Sequence, residues 1–167
     1  MNDVRWRPAY VGIGSNLDSP RDQVERAVAA LAEIADTILV RTSPLYKSGA
    51  LDGSDQPDYV NAVSALLTQL DANALLESLR AIEQAQGRTR NDEKWGPRTL
   101  DLDLLVYSSD PIGEKELKVP HSGIRERNFV LLPLADIAPN LRIPGLGSVS
   151  GLAAGVDRSN PKIERLT

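Results

Sequence analysis

Two aspartates, Asp101 and Asp103, alternate with leucines at the start of the apolar run 101–107. This run has the composition of a buried strand, and alternate side chains of a strand share one face. The two carboxylates are therefore predicted to lie together, about 6.5–7 Å apart at the backbone. Two unpaired acids beside a core cost more free energy than they return, and a bound divalent cation removes that conflict. The spacing predicts a metal site.

Cations are concentrated just upstream of these aspartates, at Arg88, Arg90, Lys94 and Arg98. The planar guanidinium of arginine matches the geometry of phosphate oxygens. Acids that can hold magnesium beside arginines that can hold phosphates indicate a site for a nucleoside triphosphate. Taken alone, the two acids are also compatible with a solvated sheet face, or with a structural ion network that includes the arginines.

The composition is that of one ordinary globular domain. The chain has 167 residues, of which 41% are hydrophobic and 25% charged, and this is enough to bury a single core. It has no cysteine, so disulfides and thiolate metal sites are excluded. The amino terminus lacks the apolar segment of a signal peptide and no run is long enough to span a membrane, so we expect a cytoplasmic protein. The net charge of −4 argues against extended nucleic-acid binding.

The elements that must position these residues follow the order strand, helix, strand, strand, helix, strand. Apolar and alternating runs predict strands over residues 9–14, 38–43, 59–70 and 101–107, with a helix after the first and a helix after the third. This order is the split βαβ pattern of ferredoxin-like folds. We therefore predict a single-domain α+β fold, a ferredoxin-like βαββαβ core with an antiparallel sheet and helices packed on it.

Helix ends are marked by capping residues. Ser19 and Asp22 form a capping-box pattern around Pro20 at the start of the first helix. Asp71 is the predicted N-cap of the second helix, which should end near Gly87.

Three other segments are less regular. Residues 44–58 are too polar for a core and are predicted to be irregular, and residues 128–137 form a short helix with Pro133 near its start. The tail from residue 144 to 167 is rich in glycine and serine and is predicted to pack loosely, outside a core of about residues 9–139. The Gly12-Ile13-Gly14 pair fails as a dinucleotide motif, because Leu17 stands at the third glycine position, and it is predicted to form a tight turn.

Four blocks of residues stand in a fixed order along residues 9–139. They are Gly12-Ile13-Gly14-Ser15-Asn16-Leu17; Gln56-Pro57-Asp58-Tyr59-Val60-Asn61; Arg88-Thr89-Arg90 through Trp95-Gly96-Pro97-Arg98-Thr99-Leu100-Asp101-Leu102-Asp103; and Val119-Pro120-His121 through Arg127-Asn128-Phe129-Val130-Leu131. Together they resemble the 6-hydroxymethyl-7,8-dihydropterin pyrophosphokinase family of folate biosynthesis. The resemblance implies a ferredoxin-like α+β fold and transfer of pyrophosphate from ATP to the pterin's hydroxymethyl oxygen, with release of AMP.

The resemblance also implies a role for each matching residue, with ATP as co-substrate and two Mg²⁺ ions held by Asp101 and Asp103. The catalytic residues it implies are Arg88, Arg98, Asp101 and Asp103. The nucleotide-binding residues it implies are Glu83, Arg88, Arg90, Trp95, Arg98, Leu104, His121 and Arg127. The pterin-binding residues it implies are Ser48, Leu51, Tyr59, Asn61, Trp95, Asp101 and Phe129.

Several positions depart from the common family pattern or allow a simpler interpretation. Gly49-Ala50 replaces a frequent proline pair in the pterin loop, and Glu116, Lys118 and Ser122 differ near the nucleotide side. As simpler alternatives, His121 is a surface turn residue, Phe129 belongs to the core, and Asn16 stabilises the turn after the first strand.

Two other functions are considered for a ferredoxin-like sheet, of which only the first would also place carboxylates on its strands. A palm-like nucleotidyl transferase or cyclase would release pyrophosphate, whereas the family reaction releases AMP. A non-enzymatic ligand-sensing module would show no magnesium-dependent ATP binding. The partners expected here are the small molecules ATP and hydroxymethyldihydropterin, with no nucleic acid, no membrane and a monomeric protein.

Overall fold

The computed structural model describes residues 5–87, 99–109, 111–114 and 116–166. Within these ranges no helix is both long and apolar enough to cross a membrane. Four predicted site residues lie outside the described residues: Arg88, Arg90, Trp95 and Arg98.

The described part of the chain contains both strands and helices. In chain order they are β1 (Arg7–Ser15), α1 (Pro20–Ala32), β2 (Thr37–Thr42), β3 (Tyr46–Ser48), β4 (Tyr59–Thr68), α2 (Ala72–Ala85), β5 (Asp101–Tyr107), β6 (Ile112–Gly113), β7 (Lys118–Val119), a 3₁₀ turn (Ile124–Glu126), α3 (Asn128–Ile137), β8 (Arg142–Ile143), β9 (Gly147–Ser148), α4 (Val149–Gly155) and β10 (Ile163–Arg165).

A six-stranded antiparallel sheet forms the centre of the fold. Strands β1 and β4 pair in the middle; β5 flanks β1 and β2 flanks β4. This is the strand arrangement of a ferredoxin-like core. The sheet continues past β4 at its other end, where β3 pairs with β4 and β10 pairs with β3. The predicted α+β fold with an antiparallel sheet is confirmed.

Helices α1 and α2 cover one face of the sheet. Val24 and Leu31 of α1, and Leu75 and Leu79 of α2, are fully buried against the apolar face of β1 and its neighbours. Burial of each such side chain stabilises the fold by about 1.5–3 kcal/mol. The even-numbered leucines of β5, Leu102 among them, also face this core, which leaves the aspartates of β5 for the opposite face.

The two helix starts differ in how they are capped. Asp71 caps α2 as predicted, because its Oδ1 accepts a hydrogen bond from the backbone N–H of Ala74 at 2.8 Å, and Gly87 follows the helix with a φ of 98°. The prediction of a capping box at Ser19 and Asp22 is wrong. Ser19 has a left-handed φ of 62° and makes no side-chain cap bond, since a capping hydroxyl reaches the next turn from an extended backbone.

Helices α3 and α4 cover the other face of the sheet. Leu131 and Leu134 of α3 pack with Val149 of α4 in a second core, and all three side chains are fully buried. Residues 144–166 therefore do not form the loose tail that their composition predicted. Short apolar side chains in α4 and the pairing of β10 with β3 integrate them into the fold.

Two further expectations are corrected on this face. The segment 44–58 contains strand β3, whose Tyr46 and Ser48 are buried while Lys47 between them is exposed. Three residues are too few to give a clear alternating pattern in sequence. Pro133 lies in the middle of α3 and not near its start. Its ring is accommodated among buried apolar residues, at the cost of one backbone hydrogen bond.

Candidate active site

A large open cleft lies at the end of the sheet where α3 begins. Its volume is ≈ 1080 Å³, and its lining comes from β1, the chain after β3, β4, α2, β5 and the start of α3. It brings together every predicted site residue that the structure describes: Ser48, Leu51, Tyr59, Asn61, Glu83, Asp101, Asp103, Leu104, His121, Arg127 and Phe129. Residues that are distant in sequence therefore meet in one place.

Asp101 and Asp103 lie on one face of β5, as the alternation predicted. In the strand register Asp101 is opposite Gly14 of β1, and Asp103 is opposite Gly12. Both carboxylates line the cleft, and 43% of the Asp103 side chain is exposed. The carboxylates are therefore accessible to a ligand from the cleft.

Arg127 pairs with one of these acids, Asp103. Its Nη1 lies 3.9 Å from Oδ2 of Asp103, at the outer limit of an ion pair. The same guanidinium lies over the ring of Phe129, 5.8 Å from the centroid. Gly123 makes room for it, since a Cβ there would lie 2.6 Å from Nε of Arg127. An ion pair of this kind was one of the simpler interpretations of the aspartates, and it places a cation at the edge of the cleft.

The glycines of β1 open the floor of the cleft. Gly12 and Gly14 lie within the strand and pair on both sides, so the predicted tight turn is wrong. A Cβ on Gly14 would lie 3.3 Å from Oδ1 of Asn61, and one on Gly12 would lie 3.4 Å from Leu105. The absence of side chains here leaves space between β5 and β4.

Asn61 is held in one orientation beneath this space. It is only 4% exposed, and its Nδ2 donates a hydrogen bond to Oγ of Ser48 at 2.8 Å. Asn61 is opposite Gly14 on one side and Tyr46 on the other. A fixed amide offers a donor and an acceptor to the edge of a flat polar ring.

Two aromatic side chains also line the cleft. Tyr59 begins β4 and is opposite Ser48, and Phe129 lies in the first turn of α3. Phe129 also packs against the second core, so the simpler interpretation of this residue holds in part. Aromatic faces of this kind favour planar heterocycles.

His121 has a fixed ring in the cleft. Its backbone N–H donates to the carbonyl of Leu105 at 2.8 Å, and its Nδ1 accepts from the backbone N–H of Gly123 at 3.1 Å. Burial lowers the pKa of His121, the charge of Arg127 lowers it further, and Asp103 opposes both. The ring is therefore neutral at pH 7 with its proton on Nε2, where it is a hydrogen-bond donor.

Asn16 connects two loops. It is 1% exposed, and its Nδ2 donates to Oε1 of Gln56 at 2.9 Å and to the carbonyl of Pro57 at 3.0 Å. These bonds link the end of β1 to the loop that precedes Tyr59. Asn16 thus has a structural role, although it acts on a more distant segment than the turn after the first strand.

Some residues of the cleft were missed in the sequence. Arg80 of α2 lines it, and its Nη1 lies 3.9 Å from Oε2 of Glu116, with both side chains exposed. Arg80 lies three residues before Glu83, so helical periodicity would have placed the two on one face. Glu116, Lys118 and Ser122, which depart from the family pattern, also line the cleft.

The chain is similar to known proteins along most of its length. The family model "7,8-dihydro-6-hydroxymethylpterin-pyrophosphokinase (HPPK)" matches residues 10–139. The 2-amino-4-hydroxy-6-hydroxymethyldihydropteridine pyrophosphokinase of Pseudomonas aeruginosa is 51% identical over 135 residues, which are 81% of this chain and 83% of that protein. The protein of the same name from Haemophilus influenzae is 46% identical over 136 residues, 81% of this chain and 84% of that protein.

The fold is also similar to solved structures. A Plasmodium falciparum HPPK-DHPS crystal structure with pterin and p-hydroxybenzoate matches 99% of this chain with a TM-score of 0.75 and 12% sequence identity. The match covers 48% of the Plasmodium chain, so the present chain spans about half of its length. At this identity the similarity concerns the fold alone.

Proposed function

The chain belongs to the 7,8-dihydro-6-hydroxymethylpterin-pyrophosphokinase family, and from this premise we propose its reaction. It transfers the terminal pyrophosphoryl group of ATP to the hydroxymethyl oxygen of 6-hydroxymethyl-7,8-dihydropterin, a step of folate biosynthesis. The alcohol oxygen bonds to the β-phosphorus, the bond from that phosphorus to the oxygen of the α-phosphate breaks, and AMP leaves. The hydroxyl proton is released.

One observation carries this proposal: Asp101, Gly14 and Asn61 occupy a single row across three adjacent strands. Neighbouring strands are about 4.8 Å apart, so the acid and the amide lie about 10 Å apart at the backbone with only a glycine between them. This row joins a position suited to phosphates with a position suited to the pterin edge. It supports a reaction between two small molecules bound side by side.

Asp101 and Asp103 fit magnesium. Both are oxygen donors on one strand face that lines the cleft, and magnesium in phosphoryl-transfer sites takes one or two protein carboxylates and completes its shell with phosphates and water. Two bound Mg²⁺ ions would neutralise the triphosphate and align the reacting oxygens.

The chain's own residues then divide the remaining work. We assign the pterin to the space above Gly14, with its edge hydrogen-bonded to Asn61 and its faces against Tyr59 and Phe129. The backbone of Ser48 and Leu51 completes this side. The orientation of Asn61, set by Ser48, would fix the hydroxymethyl group relative to the phosphates, and alignment of this kind supplies much of the rate enhancement in such transfers.

The nucleotide side relies on donors to phosphate oxygens. Arg127 places a guanidinium near Asp103, and neutral His121 offers its Nε2–H. Glu83 and Leu104 line the same side. The roles proposed for Arg88, Arg90, Trp95 and Arg98 lie outside the described residues and stay predictions, as do a cytoplasmic location and a monomeric state.

Product analysis tests this proposal. The protein is incubated with ATP, magnesium chloride and 6-hydroxymethyl-7,8-dihydropterin, and the adenine-containing product is identified by chromatography. AMP formed only in the presence of the pterin supports the proposal. Release of pyrophosphate would favour a nucleotidyl transferase, and intact ATP with no magnesium-dependent nucleotide binding would favour a ligand-sensing module. Either result would overturn the assignment.

A further inference from the structure

The first residue of α3, Asn128, is a buried amide beside the cleft. It is 0% exposed, although its neighbours Arg127 and Phe129 both line the cleft. Its Nδ2 donates to the carbonyl oxygens of Asp157 at 2.9 Å and Pro161 at 2.7 Å. Its Oδ1 is also buried and has no hydrogen-bond partner in the part of the chain that the structure describes.

In this arrangement the Nδ2 group of Asn128 donates two hydrogen bonds, both to backbone carbonyls of the segment 157–161. Pro161 is buried, and a buried carbonyl without a donor is costly, whereas Asp157 is exposed. The segment 157–161 belongs to no named helix or strand that would satisfy these two carbonyls. The amide satisfies both at once and leaves its own acceptor unpaired. Asn128 is thus specialised for holding the segment 157–161 against the start of α3.

The segment that Asn128 holds continues directly into the opposite wall of the cleft. The carbonyl of Lys162 accepts a hydrogen bond from the backbone N–H of Gly49 at 3.2 Å. The next residue, Ile163, pairs with Ser48 in the sheet, and Ser48 is the residue that orients Asn61. The segment therefore connects α3 to the chain that carries Ser48 and Leu51.

Two walls of the cleft are fixed to one another by this connection. On one wall Phe129 follows Asn128 in sequence, and on the other Ser48 pairs with Ile163 and Gly49 bonds to Lys162. Gly49 and Ala50 stand in this wall, so it lacks the stiffness that prolines would give. The bonds from residues 162–163 to Ser48 and Gly49 must then hold this wall in position.

We propose that Asn128 is a positioning residue for the pterin. By fixing the segment 157–161, it sets the separation between Phe129 and the wall formed by residues 48–51. This inference rests on the proposed function. On the nucleotide side Arg127 adjoins Asn128 in sequence, whereas β5 and the segment around His121 make none of the bonds given above, so the larger effect is expected on the pterin.

Steady-state kinetics of Asn128→Ala test the inference. The KM for hydroxymethyldihydropterin rises about tenfold, the change expected when a pre-organised pocket becomes loose, while the KM for ATP stays within about twofold. Asn128→Ser, which removes less volume and keeps one short donor, gives an intermediate KM for the pterin. It also keeps the test usable if the alanine variant does not fold.

The matched control is Ser148→Ala. Ser148 caps α4 in the same C-terminal part of the chain, where its Oγ accepts from the N–H of Gly151 at 3.2 Å, but it does not line the cleft. Ser148→Ala lowers the midpoint of thermal unfolding and leaves both KM values unchanged. A general structural role of Asn128 would give the same pattern as this control.

The outcomes separate the two proposals. If the wild-type protein forms AMP and the folded Asn128 variants keep the wild-type KM for the pterin, or raise both KM values equally, the inference is overturned and the proposed function stands. If the wild-type protein forms no AMP and does not bind the pterin in calorimetry, the proposed function fails, and the inference fails with it.

Discussion

The carboxylate of Glu83 accepts a hydrogen bond from the backbone N–H of Leu102, with an Oε2–N distance of 2.9 Å. Leu102 lies between Asp101 and Asp103, so this bond links helix α2 to the short stretch of β5 that carries both acids. Glu83 is buried in spite of its charge. Whatever contact it makes with a nucleotide, it also fixes the strand that presents the proposed metal ligands.

Removal of this acceptor destabilises the fold. In Glu83→Ala the buried N–H of Leu102 loses this partner, and the free energy of unfolding falls by about 1–3 kcal/mol. Glu83→Gln keeps an acceptor oxygen, so its free energy of unfolding falls by less. Urea unfolding measures both, with the exposed Glu77→Ala on the same helix as control. Equal stability of Glu83→Ala and Glu77→Ala would contradict the role of this bond.

We expect the two strand aspartates, Asp101 and Asp103, to be needed for turnover and not for folding. Asp101→Asn and Asp103→Asn each lower kcat by at least about a hundredfold, since loss of a ligand costs more than loss of its supporting contacts. Thermal unfolding stays close to that of the wild type. Glu25→Gln, which removes an exposed ion pair with Arg21, is the control and keeps the wild-type rate. Near-normal kcat in either aspartate variant would show that the metal assignment is wrong.

Gly14 leaves space between Asp101 and the amide of Asn61, where we propose that the pterin binds. In Gly14→Ala the new Cβ lies 3.3 Å from Oδ1 of Asn61, so the amide must shift and the KM for the pterin rises several-fold, about fivefold or more. Gly155→Ala is the matched control, because nothing lies within 4 Å of a Cβ there. If the two alanine variants have the same KM for the pterin, Gly14 does not border its site.

We expect ionisation of the Tyr46 hydroxyl to lower the free energy of unfolding at alkaline pH. Burial and the hydrogen bond that its hydroxyl donates to Asp136 raise the pKa of Tyr46 above 10.0. A raised folded-state pKa contributes stability below pH 10 that is lost as the pH rises through the folded value, because the unfolded chain ionises first. We therefore expect the free energy of unfolding to decrease above pH 10.

Tyr46→Phe separates this contribution. It lowers the free energy of unfolding at pH 7 by about 1.5–3 kcal/mol, because a hydrogen bond to a carboxylate is lost, and it gives a flatter decrease above pH 10. Tyr10→Phe is the comparison, since burial alone raises the pKa of Tyr10. Tyr10→Phe gives a flatter decrease of the free energy of unfolding above pH 10, and it lowers that free energy at pH 7 by less than Tyr46→Phe does. An unchanged alkaline decrease in Tyr46→Phe would contradict the account.

The sequence predicts best those features that depend on local pattern. Asp101 and Asp103 share a face because side chains alternate along any strand, and Asp71 caps α2 because a short acceptor before a helix satisfies its first N–H groups. The row formed by Asp101, Gly14 and Asn61 depends on the register of three strands. Local pattern does not contain that register, and for this reason the sequence predicts a turn at Gly12 and Gly14 where the structure has a strand.

The prediction of a loose C-terminal tail is wrong for a related reason. Its glycines and serines suggest a loose tail, whereas the pairing of Ile163 with Ser48 and the bonds of Asn128 are long-range contacts. Tyr46 and Ser48 are likewise buried by what packs on β3 and not by their own neighbours in sequence. Long-range contacts of this kind appear only once the elements are assembled.

The position of bond cleavage in ATP tests the central claim most directly. Parallel reactions with [α-³²P]ATP and [γ-³²P]ATP, magnesium and the pterin follow where each label goes. The account predicts that the γ label enters the pterin product while the α label stays in AMP, and that neither labelled product forms with Asp103→Asn. An α label in the pterin product, or γ-labelled pterin accompanied by ADP, would contradict attack at the β-phosphorus.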